Sequence, residues 1–157
     1  MSKRKIVIAT HGTLAEGFKS ALQIIAGAEN VEAFNCYTSP DFNLQETIQK
    51  VMDSKGSEEE LFVFTDLFGG SVNNGFVAAL KTYDFHLITN TSLGLLIDFI
   101  LMEPDVETLK KKFDEKEFNA VYCNSVHLRN GIKSFSRLYS MSGFYGLCIS
   151  VCCKSKY

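Results

Sequence analysis

Two short stretches hold residues able to do chemistry together. Thr10-His11-Gly12-Thr13-Leu14 places an imidazole at the end of an apolar run, with a glycine behind it that permits close backbone approach. Asp66-Leu67-Phe68-Gly69-Gly70-Ser71 places a carboxylate at the end of another run, followed by two glycines and a serine at the mouth of a helical segment. If these runs are neighbouring strands, about 4.8 Å apart, their loops lie side by side and His11 meets Asp66. A carboxylate that accepts the proton of one ring nitrogen fixes the tautomer and leaves the other nitrogen's lone pair free to attack. Backbone amides around Gly12 and Thr13, with those of Leu67, Gly69, Gly70 and Ser71, make a donor-rich concavity suited to phosphate, reinforced by helix dipoles of about half a charge. Phosphoryl transfer needs mostly alignment and charge stabilisation, so this set suffices with no metal and no cofactor.

Each residue also has a plainer reading. A histidine past a strand can be a loop residue making a local hydrogen bond, and Asp66 can cap the helix behind it. Gly69-Gly70 can be turn punctuation, and Ser71 reads as an N-cap that also touches phosphate. His86, inside a strand-like run, and His127 have no suggestive sequence neighbours and read as structural.

The elements that must position the two loops follow from periodicity. Short apolar runs alternate with stretches of helical spacing, the pattern of parallel strands joined by crossover helices. Lys5 to Thr10 reads as a first strand, and Leu14, Phe18, Ala21, Leu22 and Ile25 recur at helical spacing until Gly27 stops them. Val31 to Tyr37 reads as a second strand, and the next helix opens on Asn43 and Glu46 at capping-box spacing, with Leu44, Ile48, Val51 and Met52 on one face. Leu61 to Thr65 is nearly all apolar or β-prone, as a strand covered on both faces requires, and a helix from about Val72 to Thr82 follows. Phe85 to Thr89 makes a fourth strand. Leu93 to Met102 is a helix apolar nearly all round, which implies a cover beyond its own sheet, such as a subunit interface. Val106 to Lys112 is helical, with a continuation past Phe118 open, and Gly131 to Phe135 reads as a last edge strand. The fold expected is a doubly wound, mostly parallel open α/β sheet with helices on both faces.

Bulk properties exclude several partners. A chain of 157 residues fits one domain. Its 16 basic against 18 acidic residues leave no excess to pull it onto nucleic acid or an anionic membrane. No run approaches the roughly 18 apolar residues of a membrane span, and the apolar run after Lys5 is too short for a signal peptide, so a cytoplasmic location is expected. The five cysteines show no disulfide framework, and Cys148, Cys152 and Cys153 have no histidine nearby to complete a zinc site. The chain has neither G-x-x-x-x-G-K-[ST] nor a G-x-G-x-x-G turn after its first strand, which argues against a nucleotide as phosphate source; it also lacks the G-x-S-x-G elbow of esterases. A flavodoxin-like cofactor module remains open on the same layout.

Ile6-Val7-Ile8-Ala9-Thr10-His11-Gly12-Thr13-Leu14-Ala15-Glu16-Gly17 and Thr65-Asp66-Leu67-Phe68-Gly69-Gly70-Ser71 resemble the two signature stretches of the mannose-family enzyme IIA component of the bacterial phosphoenolpyruvate-dependent sugar phosphotransferase system. The resemblance covers roughly Lys5 to Phe135, so residues 1–135 read as the IIA domain and 136–157 as an atypical tail. It implies that His11 matches the histidine phosphorylated by the phosphocarrier protein HPr, that Asp66 matches the aspartate bonded to the other ring nitrogen, and that phosphate next passes to a IIB component. Membrane IIC and IID components would be indirect partners. It further implies one antiparallel edge strand exchanged within a homodimer. Relatives that donate phosphate for dihydroxyacetone phosphorylation, or act as regulatory modules, are alternative outputs. The chain departs from the pattern at Ser92-Leu93-Gly94-Leu95, where the family has Asn-Leu-Pro-Met, and in the stretch after Phe135.

Overall fold

The computed structural model describes residues 3–115, 117 and 119–123. Apolar runs flanked by turn residues become the strands, and the intervening amphipathic stretches become crossover helices. In chain order these are β1 (Lys3–His11), α1 (Leu14–Ala26), β2 (Val31–Cys36), α2 (Leu44–Asp53), β3 (Glu59–Thr65), α3 (Ser71–Ala79), β4 (His86–Thr89), α4 (Leu93–Met102), α5 (Val106–Asp114) and β5 (Val121–Cys123). The sheet order is β2-β1-β3-β4-β5, parallel except for the antiparallel pairing of β5 on β4. Winding reverses between β1 and β3, so the crevice at their carboxyl ends is the switch point of the sheet.

Alternation along β1 divides the core into two layers. Val7 and Ala9 face Ile48, Val51, Val72 and Phe76 of α2 and α3, whereas Ile8 faces Leu22, Leu95, Phe99 and Leu109 of α1, α4 and α5. β3 is buried from Leu61 to Thr65, as expected for a strand covered on both sides. Local signals act as their chemistry dictates. Gly27 ends α1 in the left-handed conformation at φ 61°, its N–H donating to carbonyls of the last turn. Asn43 Oδ1 accepts from the amides of Gln45 and Glu46, and its Nδ2 donates to Glu46 Oε1 at 3.0 Å.

Several boundaries differ from the sequence expectation. β3 begins at Glu59, because Glu59 and Glu60 pair in register with Lys3 and Arg4 of β1; opposite charges prolong a ladder that an apolar pattern does not reveal. β2 stops at Cys36, since Tyr37 turns to φ 60°. α3 runs from Ser71 and gives way after Ala79, whose carbonyl is taken by the amides of Thr82 and Tyr83. β4 starts one residue later than read, at His86. α5 extends to Asp114, and among the described residues Val121–Cys123 is the strand that pairs antiparallel. Gly131 to Phe135 lies outside the described residues, as does the tail 136–157. α4 buries Leu95, Leu96 and Phe99, while Leu101 and Met102 at its end are exposed. Among the described residues no helix is long and apolar enough to cross a membrane.

Candidate functional site

β1 and β3 pair with Ala9 opposite Thr65, so the residues just beyond, His11 and Asp66, emerge together at the switch point. Asp66 Oδ2 accepts two N–H groups of the same residue, the His11 backbone amide and ring Nδ1, each at 2.9 Å. Its Oδ1 accepts the Leu67 amide at 2.8 Å. A carboxylate held this way is acceptor-only, which assigns the proton to Nδ1 and leaves Nε2 with its lone pair. Nε2 lies 3.0 Å from Ser71 Oγ, whose hydroxyl donates to it.

The pair's electrostatics agree with its geometry. The hydrogen bond that Nδ1–H donates to Asp66 raises the His11 pKa above its ordinary 6.5; burial works against this and the carboxylate's charge adds to it. Burial pushes the Asp66 carboxyl upward, but the hydrogen bonds and charge of His11, with the Leu67 amide, outweigh it and hold the group below 3.8. Nearby Cys36 is pushed up to about 12 by burial, with Asp66 adding, so it remains a thiol and offers no rival nucleophile.

Glycine and serine positions complete the pocket. A Cβ on Gly70 would stand 3.3 Å from His11 Cε1 and 3.1 Å from the Leu67 carbonyl, so the absence of a side chain there lets the loop press against the ring. Gly12 and Gly69 have φ of 60° and 73°, the left-handed region open to glycine. Gly70 is the N-cap of α3 and its carbonyl accepts the Asn74 amide at 2.9 Å. Ser71 is therefore the first helical residue and not the cap expected from sequence, which turns its hydroxyl toward the imidazole.

The amides expected to line the pocket are in part already engaged. Gly12 donates to the Cys36 carbonyl at 2.8 Å, Gly69 to Asn73 Oδ1 at 3.1 Å, Gly70 to the Leu67 carbonyl at 3.1 Å, and Leu67 to Asp66. These bonds shape the loops. The donors that helix geometry leaves without an intrahelical acceptor are those of the first turn of α3, beginning at Ser71. Thr13 stands at the N-cap of α1 and makes no side-chain cap bond.

Sequence reasoning missed three contributors. Tyr37 stacks on His11 with ring centroids 5.5 Å apart and planes 14° from parallel. Its only sequence signal is its position just past the strand flanking β1. Asn73 and Asn90 receive the amides of Gly69 and Phe68, fixing the loop that carries Asp66. His86, read as structural, has partners that only the fold brings to it. Its Nε2 lies 2.8 Å from Glu60 Oε1, its Nδ1 meets the Tyr122 hydroxyl, and its ring stacks on Phe62, because β3 and β5 flank β4. That cluster lies at the amino ends of the strands, away from His11. Among the described residues no group of His, Cys, Asp and Glu is arranged to hold a metal. His127 and the terminal cysteines lie outside the described residues.

Several solved structures share this architecture. A phosphoenolpyruvate-dependent sugar phosphotransferase system permease from Klebsiella pneumoniae is 27% identical with a TM-score of 0.64, covering 74% of this chain and 91% of its own. The phosphotransferase system component EIIA from Streptococcus agalactiae is 26% identical at a TM-score of 0.57, covering 71% and 87%. The mannose/sorbose-specific IIA subunit from Enterococcus faecalis, 20% identical at 0.54 over 69% and 83%, shares the fold. No curated protein sequence matches the chain. The family model described as PTS system fructose IIA component, EIIA-man, matches residues 5–116, and the chain, with its signature loops at the sheet's switch point, belongs to that family.

Proposed function

We propose that this protein is a phosphocarrier of a sugar phosphotransferase system, taking a phosphoryl group onto His11 Nε2 from the phosphohistidine of HPr and passing it to a IIB component. Family membership supports the phosphocarrier role. The observation that carries the site assignment is the imidazole's two-ended hold: Nδ1–H on Asp66, Nε2 facing Ser71 Oγ, in a side chain 35% exposed. The ring is thus reachable by a protein donor and aimed before it arrives.

In the forward step the Nε2 lone pair forms a bond to phosphorus while the donor's P–N bond breaks, its electron pair returning to the donor imidazole. Asp66 stabilises the positive charge that grows on the ring. The Ser71 hydroxyl, no longer needed by Nε2, turns to donate to a phosphoryl oxygen, and the first-turn amides of α3 meet the dianion. Reversal of the same motions delivers the group to IIB. We further propose a cytoplasmic homodimer acting with membrane IIC and IID components through IIB; the exposed Leu101 and Met102 supply apolar surface for a subunit contact.

Incubation with enzyme I, HPr and labelled phosphoenolpyruvate tests the assignment. An acid-labile, base-stable label that disappears in His11→Ala is the expected result, and a variant that still labels rejects it. Asp66→Ala should slow transfer yet permit some; parent-rate transfer would remove the orienting role.

A further inference from the structure

Tyr37 follows β2 directly and has φ of 60°. Side chains bearing a β-carbon disfavour this region, and a bulky one there points to a constraint imposed from elsewhere. Burial does not supply the reason, since the residue is 48% exposed. The contact that does is the His11 ring, lying nearly parallel at 5.5 Å, with Phe42 supporting the phenol from another side at 4.8 Å. The Gly12 amide ties β1 to the Cys36 carbonyl at 2.8 Å, one residue before the phenol, so the strained turn is anchored to the imidazole's own strand.

Asp66 and Ser71 hold the imidazole through its ring nitrogens, and hydrogen bonds at Nδ1 and Nε2 resist rotation within the ring plane better than tilting out of it. Gly70 crowds Cε1 at the ring edge. A stacked phenol resists tilting. We propose that Tyr37 is a positioning residue for phosphoryl transfer, its ring locking the His11 plane so that the Nε2 lone pair stays in line with the incoming phosphorus. This rests on His11 being the phosphoryl acceptor. The strained backbone is then what aims the phenol over the imidazole.

Single-turnover phosphorylation by phospho-HPr across a range of donor concentrations, with proton NMR of the His11 Cε1–H in the unphosphorylated chain, tests the role. Tyr37→Leu should lower the saturating rate about tenfold, leaving the half-saturating donor concentration near the parent's. Tyr37→Phe should restore the rate, and the Cε1–H resonance should move downfield in the leucine variant alone as ring-current shielding is lost. An unchanged saturating rate, a loss confined to the half-saturating concentration, or a phenylalanine variant as slow as the leucine one overturns the proposal. Should the leucine variant not fold, Tyr37→Gly, which suits φ 60°, carries the same test. A parent chain that takes no phosphoryl group rejects the reading of His11 itself, whereas a competent parent with unaffected variants rejects only the role of Tyr37.

Discussion

His11 and Asp66 titrate in opposite directions, and the signs set a pH window for both stability and reactivity. A histidine raised above its ordinary 6.5 contributes stability in full below that value and loses it as pH rises through the folded pKa. An aspartate depressed below 3.8 contributes above that value and loses it as pH falls through its folded pKa. The pair therefore stabilises most between about 3.8 and about 6.5. The difference in thermal midpoint between the parent and Asp66→Asn should be largest in that interval and shrink on both sides. Transfer has the opposite upper limb, because only the neutral ring has a lone pair: the phosphorylation rate should rise with pH through the raised His11 pKa, with its midpoint moving down in Asp66→Asn. Gly70→Ala should slow transfer by roughly tenfold or more, since its methyl would press on the ring at 3.3 Å, while the thermal midpoint falls only modestly, because φ of −67° suits alanine and the backbone conflict is the 3.1 Å contact with the Leu67 carbonyl. Comparing rate and melting curve for that variant separates a geometric effect from a folding one.

At the scale of elements, local signals identified most of the framework. Gly27 and Asn43 mark their helix ends by mechanisms that need no tertiary context, and Asn43→Ala should cost about 1 kcal/mol of stability by denaturant titration without affecting transfer. What the sequence concealed depends on which strands become neighbours. Glu59 and Glu60 fall outside the strand read from Leu61 to Thr65 until Lys3 and Arg4 lie across from them. Val121–Cys123 is too short for a period to register, and becomes a strand only by pairing antiparallel with β4. At the site, His11 and Asp66 were legible because strand tips and glycine-rich turns announce themselves. Tyr37 was not, since its contact requires both the β1–β2 adjacency and a left-handed backbone that tyrosine seldom adopts. Ser71 was placed within the pocket by sequence but with a different local job, because Gly70 took the cap.

On the scale of the whole molecule, the core layers meet through the central strands. Phe62 is fully buried, packs on Phe99 at 4.8 Å and His86 at 4.5 Å, and lies under the Arg4 guanidinium at 5.5 Å. Phe62→Ala should therefore cost about 3–5 kcal/mol, lowering the thermal midpoint by about 10 °C. Sheet polarity has a practical counterpart. The parallel strands deliver both reactive loops to one end of the sheet, while β1 starts at the other, where Lys3 pairs opposite Glu59. The backbone thus enters β1 on the side remote from the imidazole. A linkage made through the exposed Lys3 ammonium would hold the molecule by its back, presenting the histidine to whatever protein flows past an immobilised layer.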